Sequence, residues 1–217
     1  MIENFIESSK YAQNLVSIES ELLKDIERES LEEKVPIVTR EVLKFMIFTA
    51  EGIKAENILE IGTAVGYSGA FLAQIANRNK GQLTTIEIDD ERYKRAVKNF
   101  EKMDLLNKNK LILGDALEEI PKLNKNEKFD FIFIDASKGQ YMKFFQMCWE
   151  LLNEKGIIFI DNLMFRGLVA ENDGNTPKKY RTIVGRLKEF IDRLNREHDF
   201  VLLPFGDGVG LVRKRLK

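Results

Sequence analysis

The sequence has very few of the residues that form covalent crosslinks or bind soft metals. Its 217 residues contain one cysteine, Cys148, and one histidine, His198. A single cysteine cannot form an intramolecular disulfide, which is typical of proteins from reducing compartments. The two residues are too few for a zinc site within one chain, and a Ser-His-Asp triad would depend on His198, which precedes a strand-like apolar run. Any catalysis is therefore expected to use carboxylates, lysines, a bound cofactor or a hard metal ion.

An excess of one charge and long apolar segments are also missing. The 34 Lys and Arg residues nearly balance the 35 Asp and Glu residues, which argues against a generally polycationic nucleic-acid binder but leaves room for a local basic face. No apolar stretch approaches the ~20 residues of a membrane helix, and the first residues lack the pattern of a signal peptide. We therefore expect one globular domain in the cytoplasm, without a membrane or DNA partner.

The spacing of apolar residues changes along the chain. Up to residue 52 they recur three and four positions apart, which predicts an N-terminal helical extension over residues 1–52. From residue 53 onward, short apolar runs alternate with helical segments, and the runs begin at Asn57, Gln82, Lys110, Phe129 and Gly156. This alternation predicts an α/β fold, a Rossmann-like parallel sheet with helices on both faces, over residues 53–217.

The C-terminal segment follows a different pattern. A long helix is predicted over roughly residues 178–198, followed by apolar runs at 200–204 and 209–213. Gly206-Asp207-Gly208 joins these two runs as a tight turn, so the last strand must run antiparallel to its neighbour. The prediction is a seven-stranded, mostly parallel sheet with a C-terminal antiparallel hairpin. This layout is similar to that of S-adenosylmethionine-dependent methyltransferases.

A glycine-rich stretch, Glu60-Ile-Gly-Thr-Ala-Val-Gly-Tyr-Ser-Gly69, joins the first predicted strand to its helix. Glycines let a backbone approach a ligand closely, and a helix N-terminus offers free N–H groups. The nicotinamide fingerprint needs a glycine where Ala64 stands, so a nicotinamide oxidoreductase is the less favoured interpretation. The spacing matches the methyltransferase pattern E-x-G-x-x-x-G, with a purely structural turn as the alternative.

Acidic residues end the second and third predicted strands. Glu87 could accept hydrogen bonds from both hydroxyls of a ribose, or it could be a surface glutamate. Asp115 could bond an adenine amino group while the small Ala116 leaves room for the ring, or Asp115 could be a helix N-cap.

Two carboxylates and an amide end the fourth and fifth predicted strands. Asp135 follows the fourth strand, and Asp161 and Asn162 follow the fifth. Adjacent parallel strands deliver their ends to one crevice, and oxygen ligands suit Mg²⁺, or alternatively Ca²⁺ or Mn²⁺. Lys138 lies close enough in sequence to act as a base, its pKa lowered by a nearby cation. The alternatives are turn or cap residues and a solvated lysine.

Together these motifs resemble the class I metal-dependent O-methyltransferases of the catechol and caffeoyl-CoA type. The similarity runs from Pro36-Ile37-Val38 to the closing segment 206–211. Within that family, the stretch from Asp161 to Ala170 most resembles the bacterial tRNA 5-hydroxyuridine methyltransferases. The resemblance also implies a homodimer.

The resemblance assigns a role to each candidate residue. It implies S-adenosylmethionine contacts at Val38, Glu60, Gly62, Ser68, Glu87, Asp115, Ala116 and Asp135. It implies Mg²⁺ ligands at Asp135, Asp161 and Asn162, and a catalytic lysine at Lys138. One departure is visible, because Ala136 and Ser137 are small where animal catechol enzymes carry bulky aromatic residues, which favours a larger or differently shaped acceptor.

A basic segment follows the predicted metal ligands. Residues 163–186 hold two acidic side chains, Glu171 and Asp173, and five basic ones: Arg166, Lys178, Lys179, Arg181 and Arg186. Of these we expect Arg166, Lys178, Lys179 and Arg181 to contact the substrate, because a basic rim suits RNA phosphates, while Tyr180 could stack on a base. A solvated surface is the alternative.

The sequence thus predicts methyl transfer to the 5-hydroxyl of 5-hydroxyuridine in the tRNA anticodon, at the wobble position. That hydroxyl lies beside the O4 carbonyl, a chelating pair like the two oxygens of a catechol. The alternatives are a small-molecule catechol or phenylpropanoid O-methyltransferase and a non-catalytic S-adenosylmethionine- or RNA-binding protein.

Overall fold

The structure, a computed structural model, describes residues 2–123, 126–135, 138–171 and 175–215, without the side chains of residues 2–6 and 138. Its α-helices are α1 (Ile2–Asn14), α2 (Glu21–Glu32), α3 (Arg40–Gly52), α4 (Tyr67–Arg78), α5 (Asp90–Lys102), α6 (Ala116–Glu119), α7 (Tyr141–Leu151) and α8 (Arg181–Glu197). Its strands are β1 (Asn57–Ile61), β2 (Gln82–Glu87), β3 (Lys110–Leu113), β4 (Phe129–Ile134), β5 (Leu152–Ile160), β6 (Asp199–Leu203) and β7 (Val209–Arg213).

The seven strands form one sheet in the order β3-β2-β1-β4-β5-β7-β6. Strands β1 to β5 pair in parallel, and β7 runs antiparallel to both β5 and β6. The predicted α/β fold, a mostly parallel sheet closed by an antiparallel hairpin, is therefore confirmed. Because β7 runs antiparallel to β5 and Gly210 pairs with Ile160, the hairpin turn 204–208 comes to the same edge as the carboxyl end of β5.

The central strands read as continuous apolar runs because both of their faces are covered. Phe131, Ile132, Phe133 and Ile134 of β4 have no exposed surface. Successive residues of that strand point into two different core clusters, one on each side of the sheet. The cores therefore fix β4 in place, and with it Asp135 at its end.

Two element boundaries differ from those predicted. Strand β5 begins at Leu152 and not at Gly156, because Leu152 already pairs with Phe129 ahead of a register shift. The last long helix begins at Arg181, because residues 178–180 form a single 3₁₀ turn after Pro177.

The N-terminal helices share a core with the sheet. Leu23, Val42 and Met46 lie in the same buried cluster as Ile58 and Phe131. This packing does not test a boundary at residue 52, so the division of the chain there stays a prediction. None of the helices in the described ranges is both long and apolar enough to cross a membrane.

Candidate functional site

A cavity of about 320 Å³ opens at the carboxyl edge of the parallel strands, a size in the usual range for small-ligand sites. Six of the predicted site residues line it: Gly62, Glu87, Asp115, Ala116, Asp135 and Asn162. They come from the ends of five neighbouring strands, which is where ligands bind in open α/β sheets. The fold thus brings the predicted cofactor and metal residues to one place.

The glycine loop between β1 and α4 is shaped by close contacts. Gly66 has a φ of 85°, in the left-handed region that favours glycine, and a Cβ there would lie 3.0 Å from Phe100 Cε2. A Cβ on Gly69 would lie 2.6 Å from Glu60 Oε2. These two glycines let the loop lie close against α5 and the Glu60 carboxyl group.

The carboxyl group of Glu60 lies beneath this loop and is fully buried. Its two oxygens accept hydrogen bonds from Ser68 Oγ and Thr85 Oγ1, each at 2.6 Å. Burial raises the pKa of Glu60 to about 7, and the charges of Asp135 and Glu87 act in the same direction. Glu60, Ser68 and the buried Val38 are not part of the cavity wall, so a direct cofactor contact at these three positions stays a prediction.

Glu87 is buried in the cavity wall and is not a surface glutamate. Its Oε2 accepts the backbone N–H of Ala64 at 2.7 Å, and its Oε1 accepts that of Asp89 at 2.9 Å. The carboxylate therefore ties the glycine loop to the end of β2 and faces the cavity, where ribose hydroxyls could donate to it.

The position of Asp115 is compatible with both of its predicted roles. Its Oδ1 accepts the N–H of Leu117 at 2.8 Å, so it caps the short helix α6. It also lines the cavity beside Ala116. Capping therefore holds this carboxylate in place without removing it from the predicted adenine site.

The candidate metal ligands follow β4 and β5, which are neighbours in the sheet. Asp135 and Asn162 line the cavity, and Asp161 is buried beside them. The backbone N–H of Asn162 donates to Asp161 Oδ1 at 2.7 Å, and the Tyr141 hydroxyl donates to the Asp161 carbonyl at 2.9 Å. Burial, then the charges of Asp135 and Asp161, raise the pKa of Tyr141 well above its usual value, so this hydroxyl acts as a neutral donor.

The donor chemistry at this point fits a hard cation. Two carboxylates and an amide offer only oxygen atoms, as Mg²⁺ prefers. Within the described ranges, no three His, Cys, Asp or Glu side chains are grouped to hold a metal, so the amide of Asn162 would have to complete the set. The side chain of Lys138, and all of Ala136 and Ser137, lie outside the described residues, so the role of Lys138 stays a prediction.

The predicted substrate residues are exposed next to this edge. Arg166, Lys178, Lys179 and Arg181 all have exposed side chains. Tyr180 packs edge-on against Phe165, with ring centroids 5.3 Å apart, and Lys179 Nζ lies 4.8 Å from the centre of the Tyr180 ring. One of the basic side chains, that of Lys179, thus lies over a half-buried aromatic pair.

Three features of the site were not found by sequence reasoning. Thr85 was read only as part of a strand, yet it holds Glu60. The hydroxyl of Tyr67, the first residue of α4, donates to Glu27 at 3.1 Å, and Glu27 in turn binds Arg40. Asp207 was read as a turn residue, yet it accepts the backbone N–H of Arg166. These partners are far apart in sequence, so no local motif marks them.

The sole histidine of the sequence lies elsewhere. His198 follows α8 and packs on Trp149, with ring centroids 4.2 Å apart. Burial lowers its pKa. His198 therefore packs as a half-buried aromatic side chain.

Comparison with known proteins identifies the family of the chain. The model of the O-methyltransferase family matches residues 12–215. A catechol O-methyltransferase from Niastella koreensis is 34% identical over 136 residues, which cover 62% of this chain and 61% of that protein. Caffeoyl-CoA O-methyltransferase 5 from Nicotiana tabacum is 28% identical over 181 residues, covering 79% and 74% of the two chains. The SAH-bound structure of the Podospora anserina methyltransferase PaMTH1 has a TM-score of 0.84 at 27% identity, and the alignment covers 99% of this chain and 96% of that one.

Proposed function

This chain belongs to the O-methyltransferase family and is an S-adenosylmethionine-dependent enzyme of the caffeoyl-CoA and catechol type; from that premise we propose that its acceptor is 5-hydroxyuridine at the wobble position of tRNA. The product would be 5-methoxyuridine. We further propose that the reaction depends on Mg²⁺, with Ca²⁺ or Mn²⁺ as possible substitutes.

The proposed metal dependence is supported by the oxygen atoms at the ends of β4 and β5. Asp135, Asp161 and Asn162 would hold the ion. When bound, Mg²⁺ lowers the pKa of an acceptor hydroxyl that has a second oxygen beside it.

The chain's own residues would do the remaining work. Glu87 and Asp115 would fix the ribose and the adenine, so that the sulfonium methyl group faces the acceptor. Lys138 would take the proton from the acceptor hydroxyl, whose oxygen then attacks the methyl carbon in line with the departing sulfur. Much of the rate enhancement would come from positioning the two reactants.

The observation that carries the tRNA proposal is the exposure of the basic side chains in the segment that follows the candidate metal ligands. The side chains of Arg166, Lys178, Lys179 and Arg181 suit a polyanionic acceptor, and the Phe165–Tyr180 pair offers an aromatic surface to an unstacked base. A small catechol has no phosphates that would use these charges.

A small-molecule acceptor is the second candidate. The likeness to catechol and caffeoyl-CoA O-methyltransferases favours it, and the same metal ligands would bind the two oxygens of a catechol. Assembly as a homodimer also stays a prediction.

Methyl transfer from labelled S-adenosylmethionine distinguishes the two acceptors. The acceptors are tRNA carrying 5-hydroxyuridine and, separately, a catechol panel, each with and without EDTA. We expect EDTA-sensitive label on the anticodon and little on catechols. Label on catechols alone would overturn the tRNA proposal, and label that persists in EDTA would overturn the metal dependence.

A pair of double variants tests these basic side chains. Replacing Lys178 and Lys179 by alanine should lower kcat/KM for tRNA by about tenfold and leave any transfer to catechol unchanged. The matched control replaces Lys108 and Lys110, two exposed lysines near the start of β3, and should have no effect. Equal losses in both double variants would show that these contacts are not specific.

A further inference from the structure

The loop after the candidate metal ligands has an unusual backbone. Phe165, Arg166 and Gly167 have consecutive φ values of 44°, 60° and 78°, and Asn162 has a φ of 59°. Side-chain-bearing residues are unfavourable in this left-handed region and persist there only when their surroundings hold them. We call residues 162–167 the ligand loop, because it begins with Asn162 and carries Arg166.

The hairpin turn between β6 and β7 holds this loop through three hydrogen bonds. The carbonyl of Gly208 accepts the N–H of Leu163 at 2.9 Å, and the carbonyl of Asp207 accepts the N–H of Met164 at 2.8 Å. The side chain of Asp207 reaches further along the loop, where its Oδ1 accepts the N–H of Arg166. The two carbonyl bonds fix the start of the loop, and the carboxylate fixes its left-handed part.

The turn itself packs closely against its neighbours on two sides. A Cβ on Gly208 would overlap Met164 Cγ and lie 2.8 Å from Met164 N. On the other side, a Cβ on Gly206 would lie 2.5 Å from Val42 Cγ2 of α3. The turn therefore packs closely against both the ligand loop and α3, and Asp207 lies between its two tightly packed glycines.

We propose that Asp207 is a positioning residue: by accepting the N–H of Arg166, it holds the ligand loop in its left-handed conformation and so fixes Asn162 and Arg166 relative to the cavity. Asp207 touches no reacting atom in this role. The consequence for Arg166 rests on the proposed function, whereas the effect on the backbone of the loop does not.

Three of the residues proposed for the cofactor lie outside the ligand loop, in β1, α4 and β2. Glu60, Ser68 and Glu87 are joined to one another through β1, α4 and β2. Loss of the Asp207 carboxylate should therefore change acceptor and metal binding while leaving S-adenosylmethionine affinity nearly unchanged, a separation that a general loss of stability would not produce.

Three variants test the proposal. Asp207→Ala removes the acceptor of the Arg166 N–H. Asp207→Asn keeps a side-chain oxygen that can accept this hydrogen bond and removes only the charge. Asp199→Ala is the matched control, because Asp199 lies on the same hairpin and binds Arg213 through an exposed ion pair.

The first readout is amide hydrogen exchange over residues 162–168 of the full chain, measured without acceptor. The second is S-adenosylmethionine affinity by calorimetry, and the third is KM and kcat for the acceptor as a function of Mg²⁺ concentration. In Asp207→Ala we expect exchange at Arg166 and the acceptor KM to rise about tenfold, with cofactor affinity within about twofold. Asp207→Asn should restore most of both values, and Asp199→Ala should resemble the wild type.

Two results would overturn the proposal: exchange and KM in Asp207→Ala that match the wild type, or equal losses of cofactor and acceptor binding that Asp207→Asn does not relieve. If the wild type methylates neither tRNA nor catechol while Asp207→Ala still raises exchange in the ligand loop, the proposed function fails and the positioning of the loop stands.

Discussion

At the scale of single residues, the carboxyl group of Glu60 beneath the glycine loop titrates far from its ordinary range of pKa. It has no exposed surface, and its oxygens meet the hydroxyls of Ser68 and Thr85. Its pKa is raised to about 7. Between its ordinary pKa of 4.5 and about 7, the folded protein keeps a proton that the unfolded chain has released, so this group makes the protein less stable as pH rises through that window.

Glu60→Gln should therefore become relatively more stable as pH increases. The free energy of unfolding of the variant minus that of the wild type is expected to rise by up to about 3 kcal/mol between about pH 4 and pH 8. Urea unfolding at a series of pH values measures this difference. A difference that stays constant across the series would show that Glu60 titrates normally.

Glu87→Ala should weaken S-adenosylmethionine binding. The variant loses the acceptor proposed for the ribose hydroxyls and the one that holds the N–H of Ala64, so the Kd measured by calorimetry should rise at least about tenfold. Glu91→Ala is the control, since Glu91 is an exposed residue of α5. A Kd that changes equally little in both variants would place the ribose elsewhere.

How much a single residue reveals from sequence depends on where its partners lie. The placement of Asp135, Asp161 and Asn162 could be predicted because they lie just after the ends of two recognisable strands. The pairing of Thr85 with Glu60 could not, because it joins two strands across 25 positions. For Asp115, capping and ligand binding require the same carboxylate in the same place, so sequence alone could not choose between them.

At the scale of secondary-structure elements, the Glu27 carboxylate joins the N-terminal helices to the start of α4. Glu27 of α2 accepts two hydrogen bonds from Arg40 at the start of α3 and one from Tyr67 at the start of α4. Arg40 lowers the pKa of Glu27. Three elements that are apart in sequence therefore meet at one buried carboxylate.

Glu27→Gln should destabilise the fold by about 1–2 kcal/mol at neutral pH, a figure reduced because the side chain of Arg40 is 38% exposed. The stabilisation by Glu27 is present above its ordinary pKa and is lost as pH falls through its lowered pKa. The cost of the substitution should therefore shrink in acid, as chemical unfolding at neutral and acid pH can measure. A cost that is unchanged in acid would assign the effect to packing.

Element order followed from the sequence more readily than element ends. The apolar runs that alternate with helical segments after residue 53, together with the turn at 206–208, identify every strand of the sheet. The early start of β5 depends on Leu152 pairing with Phe129, and the late start of α8 depends on a 3₁₀ turn. Both are tertiary outcomes without a local signal.

At the scale of the whole molecule, residues at the strand ends of both halves of the parallel sheet line the cavity. A cofactor bound there should stabilise the fold by mass action, by about 2.7 kcal/mol at a concentration one hundred times its Kd. Glu87 and Asp115, the residues proposed for ribose and adenine, are not among the candidate metal ligands, and only Asp135 is assigned to both sets. We therefore expect S-adenosylmethionine to raise Tm by a similar amount with and without EDTA, while EDTA abolishes methyl transfer. Thermal unfolding and label transfer on the same samples check this, and a Tm shift that disappears in EDTA would contradict it.

The place of β7 inside the sheet has a consequence for biosynthesis. This strand is the last of the seven in chain order, yet it pairs with β5 and β6 on either side. While the chain is being made, β5 therefore keeps an open edge, which is prone to pair with other chains, until residues 209–213 have left the ribosome. The turn that supports the ligand loop arrives at the same time, so a nascent chain could complete its cofactor side well before its acceptor side.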